Sequence, residues 1–265
     1  MKSIDIKKIA MAGISIATAM LASSCIIEKR GSSVSLDDYG DEVHVSYPIE
    51  AFTELEGSGA LTIKYTQGPT DSVRIVGPAN WVQNITVRQD GELLRLGQKE
   101  NIKWVGDKPD ILVYLSSEDL KYVDLSGAND LEMDEPVHVN ELSVELSGAA
   151  DVDIKDLDVN EKFQMQVSGA GDVDIDKVDA PEVYVELSGA GDLDLAVHNA
   201  QNVKLDLSGA GAAALALTDC GDVLCDISGA AAVKLSGKAN SLTIDKGGVA
   251  SVNYGSLDVA KVEKH

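Results

Sequence analysis

Val185-Glu186-Leu187-Ser188-Gly189-Ala190-Gly191-Asp192-Leu193-Asp194-Leu195 places two short alternating runs on either side of a glycine-rich corner. Apolar residues alternate with acidic ones, the period of a strand with one face buried and one in water. The same grammar recurs along the chain. Ser-Gly-Ala begins at Ser126, Ser147, Ser168, Ser188, Ser208 and Ser228, at spacings of 21, 21, 20, 20 and 20 residues. A degenerate seventh copy starts at Gly247, with Val252 and Tyr254 in the matching apolar phase.

Before the corner stand Val144-Glu145-Leu146, Val185-Glu186-Leu187 and Leu205-Asp206-Leu207. After it stand Val152-Asp153-Ile154, Val173-Asp174-Ile175 and Leu193-Asp194-Leu195. Each repeat is therefore two or three short strands with corners between them. No repeat can bury its apolar side alone, but stacked coils share one continuous core. Seven coils at about 4.8 Å make a section of roughly 34 Å. Gly127, Gly148, Gly169, Gly189, Gly209 and Gly229 are structural corner residues, where the chain needs unusual φ/ψ and the coils bring backbone against backbone. The serine hydroxyl can satisfy a corner backbone group. A row of antiparallel hairpins would need a turn after every strand. Identical positions in every repeat fit parallel coils better.

Working outward, residues 121–258 are the repeats, 48–120 an N-terminal β region and 259–265 a polar C-terminal tail that could shield one end. The N-terminal region carries an early Ser58-Gly59-Ala60 and breaks at Gly68-Pro69, Gly77-Pro78 and Asp90-Gly91, the last a hairpin signal. It reads as the start of the same β structure, with longer excursions that cover the exposed end of the solenoid.

Residues 1–24 read as a lipoprotein signal peptide. Lys2, Lys7 and Lys8 form a positive start and Ile9–Leu21 an apolar stretch too short for a comfortable membrane span. Ala22-Ser23-Ser24-Cys25 resembles a bacterial lipobox, which would make Cys25 the lipidation site; the alternative is an ordinary secretory signal followed by a chance Cys. Residues 25–47 then read as the lipidated Cys and a flexible tether. The lipid implies a protein held to a bacterial membrane with no spanning helix, in the cell envelope and at the outer membrane by preference.

The 265 residues include 22 Lys+Arg and 44 Asp+Glu, a net charge of −22. The first 24 residues carry three Lys and one Asp, leaving about −24 for the rest. This argues against nucleic acid, which needs clustered cations, and against direct docking on anionic lipid. Aromatics are 4%, so the core is aliphatic. Cys225 lies on the apolar phase of a strand and Cys220 in the preceding turn, and no disulfide is expected between them.

Asp130, Asp151, Asp172 and Asp192 share one repeat position just past the corner, followed there by Ala212 and Ala232. Stacking sets these carboxylates near 5 Å apart, where like charges repel. Two readings are open: a weak Ca²⁺ row, or solvated corner residues. The spacing is not that of calcium-loaded nine-residue β-rolls. A calcium-dependent melting shift separates the two. Asp153, Asp174 and Asp194 form a second outward column, and Glu145, Glu186, Asp206 and Asp226 a third. Both read as charged solvent faces that discourage sideways association. His44, His138, His198 and His265 share no repeat position, and no catalytic residue or cofactor is expected.

Leu187-Ser188-Gly189-Ala190-Gly191-Asp192 behind a lipoprotein signal resembles the auto-transporter adhesin, head GIN domain family, over about Phe52 to Tyr254. The resemblance implies an all-β fold, a right-handed single-stranded parallel β-helix, and no known catalytic residues. The expected function is non-enzymatic: an adhesin-like or scaffolding envelope rod that presents an extended acidic surface to a protein or glycan partner. The alternative is a polysaccharide-acting lyase or hydrolase using surface carboxylates. Against it, Arg30, Arg74, Arg88 and Arg95 all lie outside the repeats, and the grooves lack aromatics for sugar stacking. A sensor role in envelope homeostasis is a third idea with no residue to test it.

Overall fold

A computed structural model describes residues 34–36, 40–99, 102–104 and 109–265. Cys25 and residues 1–24, read above as a signal peptide, lie outside the described residues. The chain forms an all-β solenoid of about seven turns with roughly 20-residue coils. Each coil has three strand faces. In the coil that starts at Leu142, the first face runs to Gly148, the second is Asp151–Ile154, and the third begins at Leu157.

Successive coils pair in parallel and in register. Val144 sits over Val123, Met165 over Val144, Val185 over Met165 and Leu205 over Val185. The second face stacks Leu131, Val152, Val173, Leu193 and Ala213 in the same way. These inward residues are all buried and form one continuous core. Burial of each Val or Leu contributes about 1.5–3 kcal/mol relative to exposure, so the apolar phase holds the stack together.

The corner glycines are required by close approach. A Cβ on Gly127 would lie 2.5 Å from the carbonyl oxygen of Gly59, and Gly127 has φ +102°. Gly148, Gly169, Gly189, Gly209 and Gly229 each stand over the preceding corner glycine in the same way. The ladder runs through the corner: Ala128, Ala149 and Ala170 donate to the carbonyls of Gly59, Gly127 and Gly148 at 2.7–2.8 Å. The serine contributes less. Ser126 and Ser168 hydroxyls reach carbonyls of the coil below at 3.4 Å, a long contact.

The early Ser58-Gly59-Ala60 is the first corner of the stack. Strand Glu54–Gly59 pairs in parallel with Tyr122–Gly127, which sets Ser58 under Ser126 across 68 residues of sequence. The intervening chain builds the end. Leu93–Gln98 pairs beneath Glu54–Gly57 on the first face, and Leu112–Ser117 pairs beneath Thr62–Gln67 on the second. Antiparallel strands then finish both sheets: Ile85–Asp90 on the first face, Ser72–Pro78 and Glu42–Pro48 on the second. The first coil is thus sandwiched between the repeats and a cap made from chain on both sides of it in sequence. Phe52, Tyr65 and Trp81 fill this end, so the aromatic side chains concentrate where the repeat grammar is absent.

Two boundaries read from sequence are corrected. The tether assigned to 25–47 ends as a strand, because Glu42–Pro48 pairs with Ser72–Pro78 through alternating half-buried Val43, Val45 and Tyr47. The tail assigned to 259–265 is the end of strand Ser251–Lys264. Val259, Val262 and Lys264 pair with Ala239, Leu242 and Ile244, so the segment continues the last coil. Cys220 also moves: it lies within strand Ala212–Gly229, buried, just after Asp219 turns the chain at φ +52°. Cys220 and Cys225 are both free, buried thiols, and burial pushes Cys225 up to about 12.

Candidate functional site

The outward positions of the coils make continuous columns, because the side chain period of two and the exact parallel register repeat the same residue type coil after coil. On the second face, Asp130, Asp151, Asp172 and Asp192 stand in line, with Thr62 below and Ala212 above. Beside them run Glu132, Asp153, Asp174 and Asp194. The two columns line a shallow groove of about 550 Å³.

The first column has a backbone function. Asp151 Oδ1 accepts the N–H of Asp172 at 3.3 Å, Asp172 Oδ1 that of Asp192 at 3.2 Å, and Asp192 Oδ1 that of Ala212 at 3.2 Å. At the base, the Thr62 hydroxyl donates to Asp130 at 3.0 Å. Asp151, Asp172 and Asp192 therefore each help satisfy the N–H that re-enters the ladder past the corner above. The row is a line with one carboxylate per coil. Among the described residues, no group of three or more His, Cys, Asp or Glu side chains converges as metal ligands.

Lysines pair with the second column. Lys155 bridges Asp153 at 2.8 Å and Asp176 at 3.3 Å, and Lys64 pairs with Glu132; at the next turn Lys177 pairs with Asp156 at 2.8 Å. Partial burial and the neighbouring carboxylates of Asp176 and Asp153 still push Asp174 above its ordinary range.

The third column, on the first face, begins lower than the repeats. Arg95 sits under Glu56, Glu56 under Asp124, and Asp124 under Glu145. Gln166, Glu186, Asp206 and Asp226 follow. Arg95 Nε donates to Glu56 at 2.6 Å. Burial, then the charges of Glu145 and Glu56, raise Asp124. Burial, then Asp226, raises Asp206. Aromatic side chains also reach this face. Burial and a hydrogen bond with Glu145 raise the Tyr122 phenol to about 12, and Lys204 lies 5.0 Å from the Tyr184 ring centre.

Two features of this face were missed from sequence. Arg95 joins the acidic column because its strand pairs below Glu54–Gly57, a pairing with no repeat signal. Tyr122 and Tyr184 share an outward column, in register through Ser143 and Gln164, although the repeats look free of aromatics at the acidic positions.

Among the described residues, no helix is long and apolar enough to cross a membrane. No protein of curated function matches the sequence. Solved structures share the fold. A structure named as a putative adhesin from Parabacteroides merdae matches with a TM-score of 0.53 at 16% identity, over 89% of this chain and 100% of that one. One from Parabacteroides distasonis matches with a TM-score of 0.54 at 14% identity, over 88% and 100%. At sequence level, the family described as "Putative auto-transporter adhesin, head GIN domain" matches residues 51–219 and 177–264, so the chain belongs to that family.

Proposed function

We propose that this chain is a non-enzymatic, lipid-anchored cell-envelope protein, an adhesin-like or scaffolding rod that presents extended acidic faces to a protein or glycan partner. The observation that carries the reading is the register. Outward carboxylates recur at one position per coil over several coils, which builds a long periodic surface and no deep enclosed cleft. Such a surface suits a partner that is itself extended. The family description and the names of the solved relatives point the same way. Carboxylate catalysis needs one acid and one base held in different environments, whereas these columns offer equivalent acids. Membrane attachment through Cys25 follows from the lipobox-like Ala22-Ser23-Ser24-Cys25.

Capture of envelope proteins and glycans by the full-length protein tests the reading, with a variant changing Asp151, Asp172 and Asp192 to Asn as the comparison. The expected result is a retained partner that the variant releases at lower salt. A reducing or unsaturated sugar product from any offered glycan would overturn the non-enzymatic reading. Loss of a metabolic lipid label in Cys25→Ser checks the anchor. A label that persists in that variant would contradict it.

A further inference from the structure

A cluster of three cations, Arg88, Arg95 and Lys99, sits at the capped end of the first face, in a hollow of about 440 Å³. Four neighbouring strands supply it in a grid of outward positions. Ile85–Asp90 brings Thr86 and Arg88, Leu93–Gln98 brings Gly97 and Arg95, Glu54–Gly59 brings Ser58 and Glu56, and Tyr122–Gly127 brings Ser126 and Asp124. Gly97 is the floor. A Cβ there would lie 2.9 Å from Ser58 Oγ and 3.3 Å from Thr86 Oγ1, so the missing side chain leaves a space flanked by two hydroxyls. Gln98 adds a buried Nε2 with no hydrogen-bond partner among the described residues.

The charges are placed against their own convenience. Arg88 and Arg95 are direct cross-strand partners on the antiparallel pair. Like charges in that position destabilise a sheet. Glu56 pairs closely with Arg95, and Asp90 lies 3.9 Å from its guanidinium, while Arg88 is exposed at the outer edge of the grid. A chain with twice as many acids as bases thus sets two arginines side by side over a glycine hollow. Lys99 adds a third cation at the rim, its Nζ donating to the Gln83 carbonyl at 2.8 Å.

The geometry points to a binding subsite for a carboxylate-bearing sugar, a uronic acid residue of a glycan. The arginine pair supplies charge-assisted donors for the carboxylate. Ser58, Thr86 and Ser126 offer hydroxyls, and Glu56 and Asp124 accept from the O–H groups that a sugar carries and an acidic side chain lacks. A polyacidic peptide would meet Glu56, Asp124 and the acidic column beyond them. A single carboxylate on a polyhydroxyl ring satisfies both halves of the grid. The groove continues from this hollow along the serine and carboxylate columns past Glu145, Ser147, Gln166 and Ser168, which gives the rest of a glycan chain a path over the coils.

Calorimetric titration of the full-length protein with methyl β-glucuronide and with methyl β-glucoside tests the subsite. The two probes share the ring and differ at the carboxylate. The expected result is glucuronide binding at least about tenfold tighter than glucoside, and about tenfold weaker in Arg88→Ala. Thr86→Val should weaken it less, and both exposed or half-exposed positions keep the melting temperature near that of the parent. The inference is overturned if the two glycosides bind alike, if Arg88→Ala binds the glucuronide as tightly as the parent, if acetate or glutamate competes as well as glucuronide, or if no binding is seen at about 20 mM. A partner that the parent and Arg88→Ala capture equally would leave the rod reading standing and remove this one.

Discussion

The capped end and the repeat stack solve one problem by opposite means. In the repeats, each coil is the template for the next: glycine over glycine, apolar over apolar, acid over acid. The core is mostly Val, Leu, Ile and small Ala, with Phe163 and Met165 stacked in register as single larger side chains. At the cap the template ends. Antiparallel strands close both sheets, and Phe52, Tyr65 and Trp81 fill the irregular space. A single side chain takes the place of a strand. The Gln67 amide donates to the His138 carbonyl at 2.7 Å and accepts its N–H at 2.8 Å, pairing the lowest strand of the third face as a backbone peptide would. The comparison teaches that regularity carries the rod, whereas termination depends on individual residues without substitutes.

That difference can be broken from the cap side first. Trp81 is 1% exposed, and Trp81→Ala should cost about 4 kcal/mol, read as a fall in the denaturation midpoint. Because the first coil lies between cap and repeats, the loss should appear in one cooperative transition. In the stack, Gly127→Ala should cost about 3 kcal/mol, since the new Cβ meets the Gly59 carbonyl at a positive φ. The contrasting Gly68→Ala has open space and should stay within about 0.5 kcal/mol.

Asn129 joins the two regions. It is fully buried; its Oδ1 accepts the Leu61 N–H at 3.1 Å and its Nδ2 donates to Ser126 O at 2.7 Å. In later coils Ala150 and Gly171 hold this position, so the side-chain bond is made at the base of the stack. Asn129→Ala should therefore cost about 2 kcal/mol by leaving buried groups unpaired, measured by equilibrium denaturation.

The smallest effect is electrostatic. Asp124, Asp174 and Asp206 are raised in the fold, first by burial and then by carboxylates beside them in their columns. The folded state takes up protons on these groups before the unfolded chain does. Stability should therefore rise as pH falls from 7 toward the ordinary carboxylate range, with no further gain below it. Changing all three to Asn should flatten that part of a melting-temperature profile. A profile equally steep in the variant would contradict the assignment.

The parts legible in the sequence were those that repeat. The 20–21-residue spacing, the apolar and acidic phases, the glycine corners and the Asp130–Asp192 row all follow from local patterns that stacking multiplies. What could not be read was long-range. Nothing in Leu93-Leu94-Arg95-Leu96 says that it lies beneath Glu54-Leu55-Glu56-Gly57, so Arg95 was counted as outside the repeats. The strands at 42–48 and 259–264 were missed because half-buried edge strands carry a weak apolar phase. The hydrogen bonds that Asp151, Asp172 and Asp192 accept from the coil above were equally hidden, since charge pattern alone cannot tell a solvated carboxylate from one that caps a backbone N–H.

The first coil is the base of the repeats, with the cap folded beneath it. That arrangement puts Arg95 under Glu56 and creates the hollow. It also sets Ser58 beside Ser126, although 68 residues of chain separate them. Neighbouring parallel strands stand about 4.8 Å apart, within reach of a disulfide. The direct measurement is oxidation of the Ser58→Cys, Ser126→Cys double variant, followed by peptide mapping. A cross-link between positions 58 and 126 that forms readily when the folded protein is oxidised, and much less when oxidation is carried out in denaturant, is the result predicted. Thiols that stay free at both positions while the protein remains folded would contradict the stack at its base.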